Sequence, residues 1–241
     1  MPFSPNAFDV VAAENSIRLA ALQTYWSNLK NQAAPPPSPQ PFVFLAGTGL
    51  LMVYAYSALE YCVTRSVRQL SDLIGDYKVR AKDVSPSLMC LVYNPQIDAV
   101  RSSGKRTRIS KRLELFGEIC SPRVAQIHDE FLAPEMQNVW AKSIHDIFGI
   151  FGIRSDPMAT KLSRARIDQL VDDRNAVAHG REPPEVIGSK YSIADVDTII
   201  QWLATETAHI IECCKVYYED RDFIASMHRG RYLRRDRALI G

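Results

Sequence analysis

The segment Asp172-Asp173-Arg174-Asn175-Ala176-Val177-Ala178-His179-Gly180 puts a guanidinium, an amide and an imidazole within about one and a half helical turns. Arginine can grip a phosphate through two parallel hydrogen bonds, and histidine can move protons near neutral pH. The combination points to phosphodiester chemistry that needs no metal. Spacing alone does not settle the matter, because Arg123 and His128 repeat it and Arg221 and His228 come close.

The helix around the segment adds information. At about 100° per residue, Ile167, Val171, Arg174 and Ala178 share one face, and Asp168, Asp172, Asn175 and His179 form the adjoining stripe. Arg174 therefore points toward a bundle or a partner subunit, about 140° around the helix from His179. Two readings stay open on the residues alone. Either the pair meets across a groove or a two-fold axis, or Arg174 pairs with an aspartate and His179 merely ends the helix before Gly180.

The elements that must hold this segment are helical. Residues 7 to 32 read as a helix with loosely periodic apolar positions, followed by the stiff run Pro35-Pro36-Pro37-Ser38-Pro39-Gln40-Pro41. A long second helix, capped at Thr48 or Gly49, runs to about Tyr77 on Leu51, Ala55, Leu59, Cys62, Val63, Val67, Leu70 and Ile74. Residues 83 to 110 look irregular. Helices resume over 111 to 120, again at Ser121-Pro122, and from Pro134 through Ile147 and Phe148 to Gly149 or Gly152. The motif helix spans 163 to 179. A last helix spans about 192 to 227, with Ser192 and Asp195 as a capping box. No strand series and no repeat is present, so the fold class is all-α, a bundle of four to five long helices. The domain reading is an N-terminal helical arm at 1–34, a proline-rich linker at 35–41, the bundle at 42–228 and a basic C-terminal tail at 229–241.

Composition narrows the class. A chain of 241 residues with 46% hydrophobic and 23% charged residues can bury a substantial core. A net charge of +2 excludes a bulk polycation, so nucleic-acid contacts must come from local clusters. One run holds Arg101, Lys105, Arg106, Arg108, Lys111 and Arg112 with no acid. Another holds Arg229, Arg231, Arg234, Arg235 and Arg237 around Tyr232, with one acid, Asp236. Both could track an RNA backbone, with Tyr232 stacking a base, or could simply be solvated. The five cysteines, Cys62, Cys90, Cys120, Cys213 and Cys214, show no zinc or redox spacing and read as reduced thiols of a cytoplasmic protein. Met1-Pro-Phe-Ser-Pro lacks the basic start and apolar run of a secretion signal. The uncharged stretch from residue 42 to 59 approaches the length of a membrane span. Its polar residues and its continuation past Glu60 favour a buried core helix, with no membrane partner expected.

With these residues in view, the chain resembles the HEPN superfamily of helical ribonucleases. That signature is an arginine, a polar residue that is often asparagine, and a histidine four to six positions after the arginine, here Arg174-Asn175-Ala176-Val177-Ala178-His179. Tyr56-Ser57-Ala58-Leu59-Glu60 is similar to a Tyr-Ser-x-Leu-Glu segment of the stand-alone RiboL-PSP-like subfamily. The resemblance covers roughly residues 45 to 225. It implies a homodimer whose two motif helices share a cleft, and a metal-independent endoribonuclease without a cofactor. His179 would transfer a proton, Arg174 would clamp the scissile phosphate and Asn175 would orient groups around it. Glu60 either positions Arg174 or His179 or serves as a structural ion-pair partner. A toxin or antiviral effector restrained by an antitoxin or regulatory protein fits this picture. The competing readings are a non-catalytic HEPN module that binds nucleotide, RNA or protein, and a plain helical adaptor.

Overall fold

The structure, a computed structural model, describes residues 7–238 apart from the side chain of Arg237. The Met1-Pro-Phe-Ser-Pro segment and the end of the basic tail lie outside the described residues. These contain eleven α-helices and no strand. In chain order they are α1 (Ala7–Lys30), α2 (Phe42–Tyr77), α3 (Met89–Val92), α4 (Asn94–Ser102), α5 (Arg108–Cys120) and α6 (Ala133–Gln137). Then come α7 (Ala141–Phe151), α8 (Ser163–Ala178), α9 (Pro184–Gly188), α10 (Ile193–Glu219) and α11 (Ser226–Ala238).

Helix α2 is the axis of the molecule, packed by α1, α8, α9 and α10. Among the described residues it is the one helix long and apolar enough to cross a membrane, and most of its apolar side chains between Phe44 and Ile74 are buried by the bundle, Leu50 being exposed. It starts at Phe42, six residues before Thr48. Pro41 holds the extended backbone that leads into the first turn (φ −61°, ψ 146°), and the buried Thr48 hydroxyl donates to the Phe44 carbonyl within the helix. Thr48 and Gly49 are therefore interior, not caps.

The N-terminal helix is a stave of the bundle. Phe8, Val11, Leu22, Trp26 and Leu29 are buried on α1 against α2 and α10. The Trp26 indole N–H and Lys30 both donate to Asp197, and Asn15 donates to Thr207 in the interior. Burying that much apolar area makes α1 part of the core, where its sequence suggested an arm.

Two glycines set the position of the segment that follows the motif. A Cβ on Gly49 would collide with the Pro184 carbonyl, and one on Gly188 would collide with the Leu45 carbonyl. α9 can therefore lie directly on the α2 backbone, which fixes where α8 ends relative to α2.

Three expected helices differ. Ser121-Pro122 starts no helix: the strip after α5 runs alongside residues 79–81, with Ala81 N–H to the Arg123 carbonyl and Ala125 N–H to the Val79 carbonyl, both 2.8 Å. The helix opening near Pro134 stops at Gln137. The Tyr56 hydroxyl takes the Val139 N–H (3.0 Å) and Asp168 takes the Ala141 N–H (3.0 Å), so a separate helix, α7, starts there. The last helix keeps its Ser192–Asp195 capping box but ends at Glu219, because Arg221 adopts a left-handed backbone (φ 57°). The supposed tail is helix α11, docked on the end of α2. Residues 83 to 110 are mostly short helices.

Candidate functional site

The buried positions Ile167, Leu170 and Val171 seat α8 against the core and bring Arg174 over α2. The Arg174 guanidinium lies 5.2 Å from the centre of the Tyr56 ring and donates to Asn175 Oδ1 at 2.8 Å. Tyr56 is buried. Its hydroxyl accepts from Val139 and hydrogen bonds Glu60, one helical turn further along α2. Burial raises the Glu60 carboxyl above its ordinary range, while the Arg174 charge and the Tyr56 hydrogen bond pull the other way. Burial likewise raises the Tyr56 phenol. Glu60 is thus an electrostatic neighbour of Arg174 without direct ion-pair contact. The structure brings Arg174, Asn175, Tyr56 and Glu60 together.

His179 stands apart from them within one chain. The helix ends at Ala178 in a Schellman arrangement: Gly180 N–H bonds the Val177 carbonyl and Arg181 N–H bonds the Ala176 carbonyl, with Gly180 at φ 65°. His179 is the capping residue, its own N–H on the Asn175 carbonyl and its imidazole exposed, with no hydrogen-bond or ion-pair partner among the described residues. Gly180 therefore determines both where the helix stops and how the imidazole is turned outward.

The reading in which Arg174 pairs with an aspartate does not hold: no ion pair forms on Arg174 among the described residues. The nearby acids have other duties. Asp168 caps α7, and the buried Asp173 accepts from the Tyr191 hydroxyl and Gln169, with Lys190 at 3.7 Å. Asp172 is exposed.

The basic clusters are not joined to this site. Arg101, Lys105, Arg106 and Arg108 are exposed on the α4–α5 hairpin. Arg231 and Arg235 are tied to the fold by their partners although their side chains reach the surface. Arg231 pairs with the buried Asp83, and Arg235 donates to the Tyr77 carbonyl and lies over the Tyr77 and Tyr232 rings. Tyr232 is 4% exposed and its hydroxyl donates to Asp83, so it is not free to stack a base. Arg234 stays exposed. The anchor at Tyr77 is 17 residues along α2 from Glu60, about 25 Å at 1.5 Å per residue.

Sequence reasoning passed over two residues. Tyr56, valued only as part of a resemblance, is the surface on which Arg174 rests. Its spacing of four from Glu60 was the available signal. Asp173 anchors the α8–α9 segment through Tyr191, and its sequence neighbourhood gave no hint of burial.

An all-α bundle that presents an arginine, an asparagine and a histidine at one helix end, over a tyrosine and a glutamate of the central helix, has the architecture of a HEPN domain. The chain belongs to the RiboL-PSP-HEPN family, whose sequence model matches residues 15–215. No curated protein and no solved structure matches it.

Proposed function

We propose that this HEPN protein is an endoribonuclease that works without a metal or cofactor, through a site completed in a homodimer. The observation that carries the reading is the state of its two key side chains. Among the described residues Arg174, half-buried, has no acid in contact, and the exposed His179 imidazole has no partner at a helix end set by Gly180. A cation kept free of carboxylates on an aromatic support is suited to receive a phosphate.

In the proposed reaction the ribose 2′-oxygen attacks the adjacent phosphorus and the 5′-oxygen leaves. The products are a 2′,3′-cyclic phosphate and a 5′-hydroxyl. His179 takes the 2′-hydroxyl proton or protonates the leaving oxygen, and Arg174 stabilises the charge growing on the phosphoryl oxygens. Asn175 holds one guanidinium nitrogen and so orients the fork. Glu60 is a positioning residue that biases Arg174 through its charge.

The outward face of α2 supports the dimer. Val43, Ala46, Leu50, Val53 and Glu60 lie on one stripe of the helix, and Phe42, Val43 and Leu50 are large exposed apolar residues. A two-fold contact along this stripe covers apolar surface and sets two copies of the Arg174 end side by side. An enzyme of this kind would need restraint, which fits a toxin or antiviral effector with an antitoxin or regulatory partner. A reducing cytoplasm suits its five unpaired cysteines.

A second reading has its own observation. A groove of about 420 Å³ on another flank of α8 is lined by Trp202, Tyr191, Arg166 and Lys190, a surface that could hold a nucleotide without cleaving it. One experiment separates the two. RNA is incubated with the purified protein in EDTA, beside the same RNA carrying a single 2′-deoxy residue at the cleaved position. The nuclease reading expects a cyclic phosphate end and no cleavage of the deoxy substrate. Tight nucleotide binding with intact RNA supports the second reading instead.

A further inference from the structure

Neither α4 nor α5 contributes a buried side chain to the fold. Ile109, Leu113 and Phe116 are 72%, 69% and 63% exposed, and they fall within an arc of about 60° on α5. Ile97 on α4 is also exposed. Around this stripe sit Arg101, Lys105, Arg106, Arg108 and Arg112, none with an acidic partner among the described residues; Lys111 of the same run is paired to Glu114 at 2.6 Å. Leu115 and Ile119 on the other side of α5 rest on the core, so the hairpin is held with its stripe facing out. The chain on either side of it is fastened down: Tyr93 lies under Arg123, and Ala125 is tied to Val79.

We propose that the α4–α5 hairpin is a docking surface for an anionic phospholipid membrane, on which α5 lies flat with Ile109, Leu113 and Phe116 in the interface and the arginines and lysine on the headgroups. Charge and apolarity together select this occupant. RNA would engage the cations but leave two aliphatic side chains in water. A second copy meeting this face across a two-fold axis would set the run from Arg101 to Arg112, which contains no acid, against its twin. A bilayer with anionic headgroups satisfies both features at once. At 13 residues α5 spans about 20 Å, well short of a bilayer crossing, so the contact is peripheral. The surface is independent of Arg174 and His179.

The test uses the full chain sedimented with phosphatidylcholine vesicles containing about one-third phosphatidylserine, and with pure phosphatidylcholine vesicles, at about 0.1 M salt. Binding to the anionic vesicles alone is expected. The double substitution Arg106→Glu/Arg108→Glu should weaken it at least about 25-fold, since each cation near such a surface contributes about fivefold. Leu113→Ser/Phe116→Ser keeps every charge and should weaken it more than tenfold. Because these four side chains support no core contact, circular dichroism and melting temperature should not change. Three results would overturn the proposal. One is no binding to the anionic vesicles. Another is a loss of dimer mass in Leu113→Ser/Phe116→Ser, which would make the stripe a self-interface. The last is vesicle binding that survives the apolar double substitution while single-stranded RNA binding is lost in the arginine variant, which would return the cations to RNA.

Discussion

The two ends of α8 handle polar groups in opposite ways. At its start, Ser163 and Glu206 are fully buried and fully used. The Ser163 hydroxyl donates to Glu206 and accepts from the Trp202 indole N–H and the Thr160 N–H, and Glu206 also takes the Ala159 N–H. At its finish, Arg174 spends one donor on Asn175 and rests on a ring, and His179 spends nothing. A buried polar network is stabilising only when each member is satisfied, so the first end is built for structure. Polar capacity left open beside a rigid cap is capacity for a ligand. The contrast separates scaffold from site on the same helix.

This contrast can be broken by substitution. The largest effect is expected from His179→Ala: RNA cleavage should fall about a thousandfold, the range for a lost proton-transfer group, while the melting temperature stays within the scatter of surface changes. Gel-resolved cleavage rates beside thermal melts check both halves. Arg174→Ala should cost about a hundredfold in cleavage, and Arg174→Lys should restore little, because an ammonium cannot reproduce the planar fork that Asn175 orients. If lysine restored full activity, the clamp role would be lost.

Glu206→Ala should do the reverse at the other end. It strands the Ala159 N–H and the Ser163 hydroxyl in the interior, costing about 2 kcal/mol in denaturant-measured stability. Cleavage per folded molecule should be unaffected. A fall in activity beyond the folded fraction would erase the distinction between the two ends.

The smallest effect concerns Glu60. Burial raises its folded-state pKa above the ordinary value of 4.5, so the ionised form is disfavoured by folding. Wild type should therefore gain stability as pH falls through the raised value and stop gaining below the unfolded value. Glu60→Gln should be slightly more stable than wild type at pH 7 to 8, with the difference shrinking toward pH 4.5. Melting temperatures across that range test the sign, and a constant gap would remove burial as the cause. The same variant should cleave RNA more slowly, since Arg174 loses a charge that biases it.

Much of the fold is legible because its signals are local. The Ser192–Asp195 box and Gly180 act within a few residues, and both sit where the pattern places them. The apolar recurrence from Leu51 to Ile74 likewise reports a buried face. Failures occur where a distant group claims a backbone donor. Tyr56 takes the Val139 N–H and splits an expected helix, and residues 79–81 pair with 123–125 and suppress another. Arg231 and Tyr232 look free to bind RNA only while Asp83, which holds both, is unseen.

The sequence by itself determined the all-α class, the helix that carries Arg174, Asn175 and His179, and the glycine that ends it, since each depends on periodicity or φ within one segment. Only the tertiary structure decided that Arg174 rests on Tyr56 beside a partly buried Glu60, that Asp173 is an anchor and that the C-terminal arginines are mostly spent on the fold. Those outcomes depend on which side chains meet across helices far apart in the chain. No local pattern encodes the free energy of such a meeting.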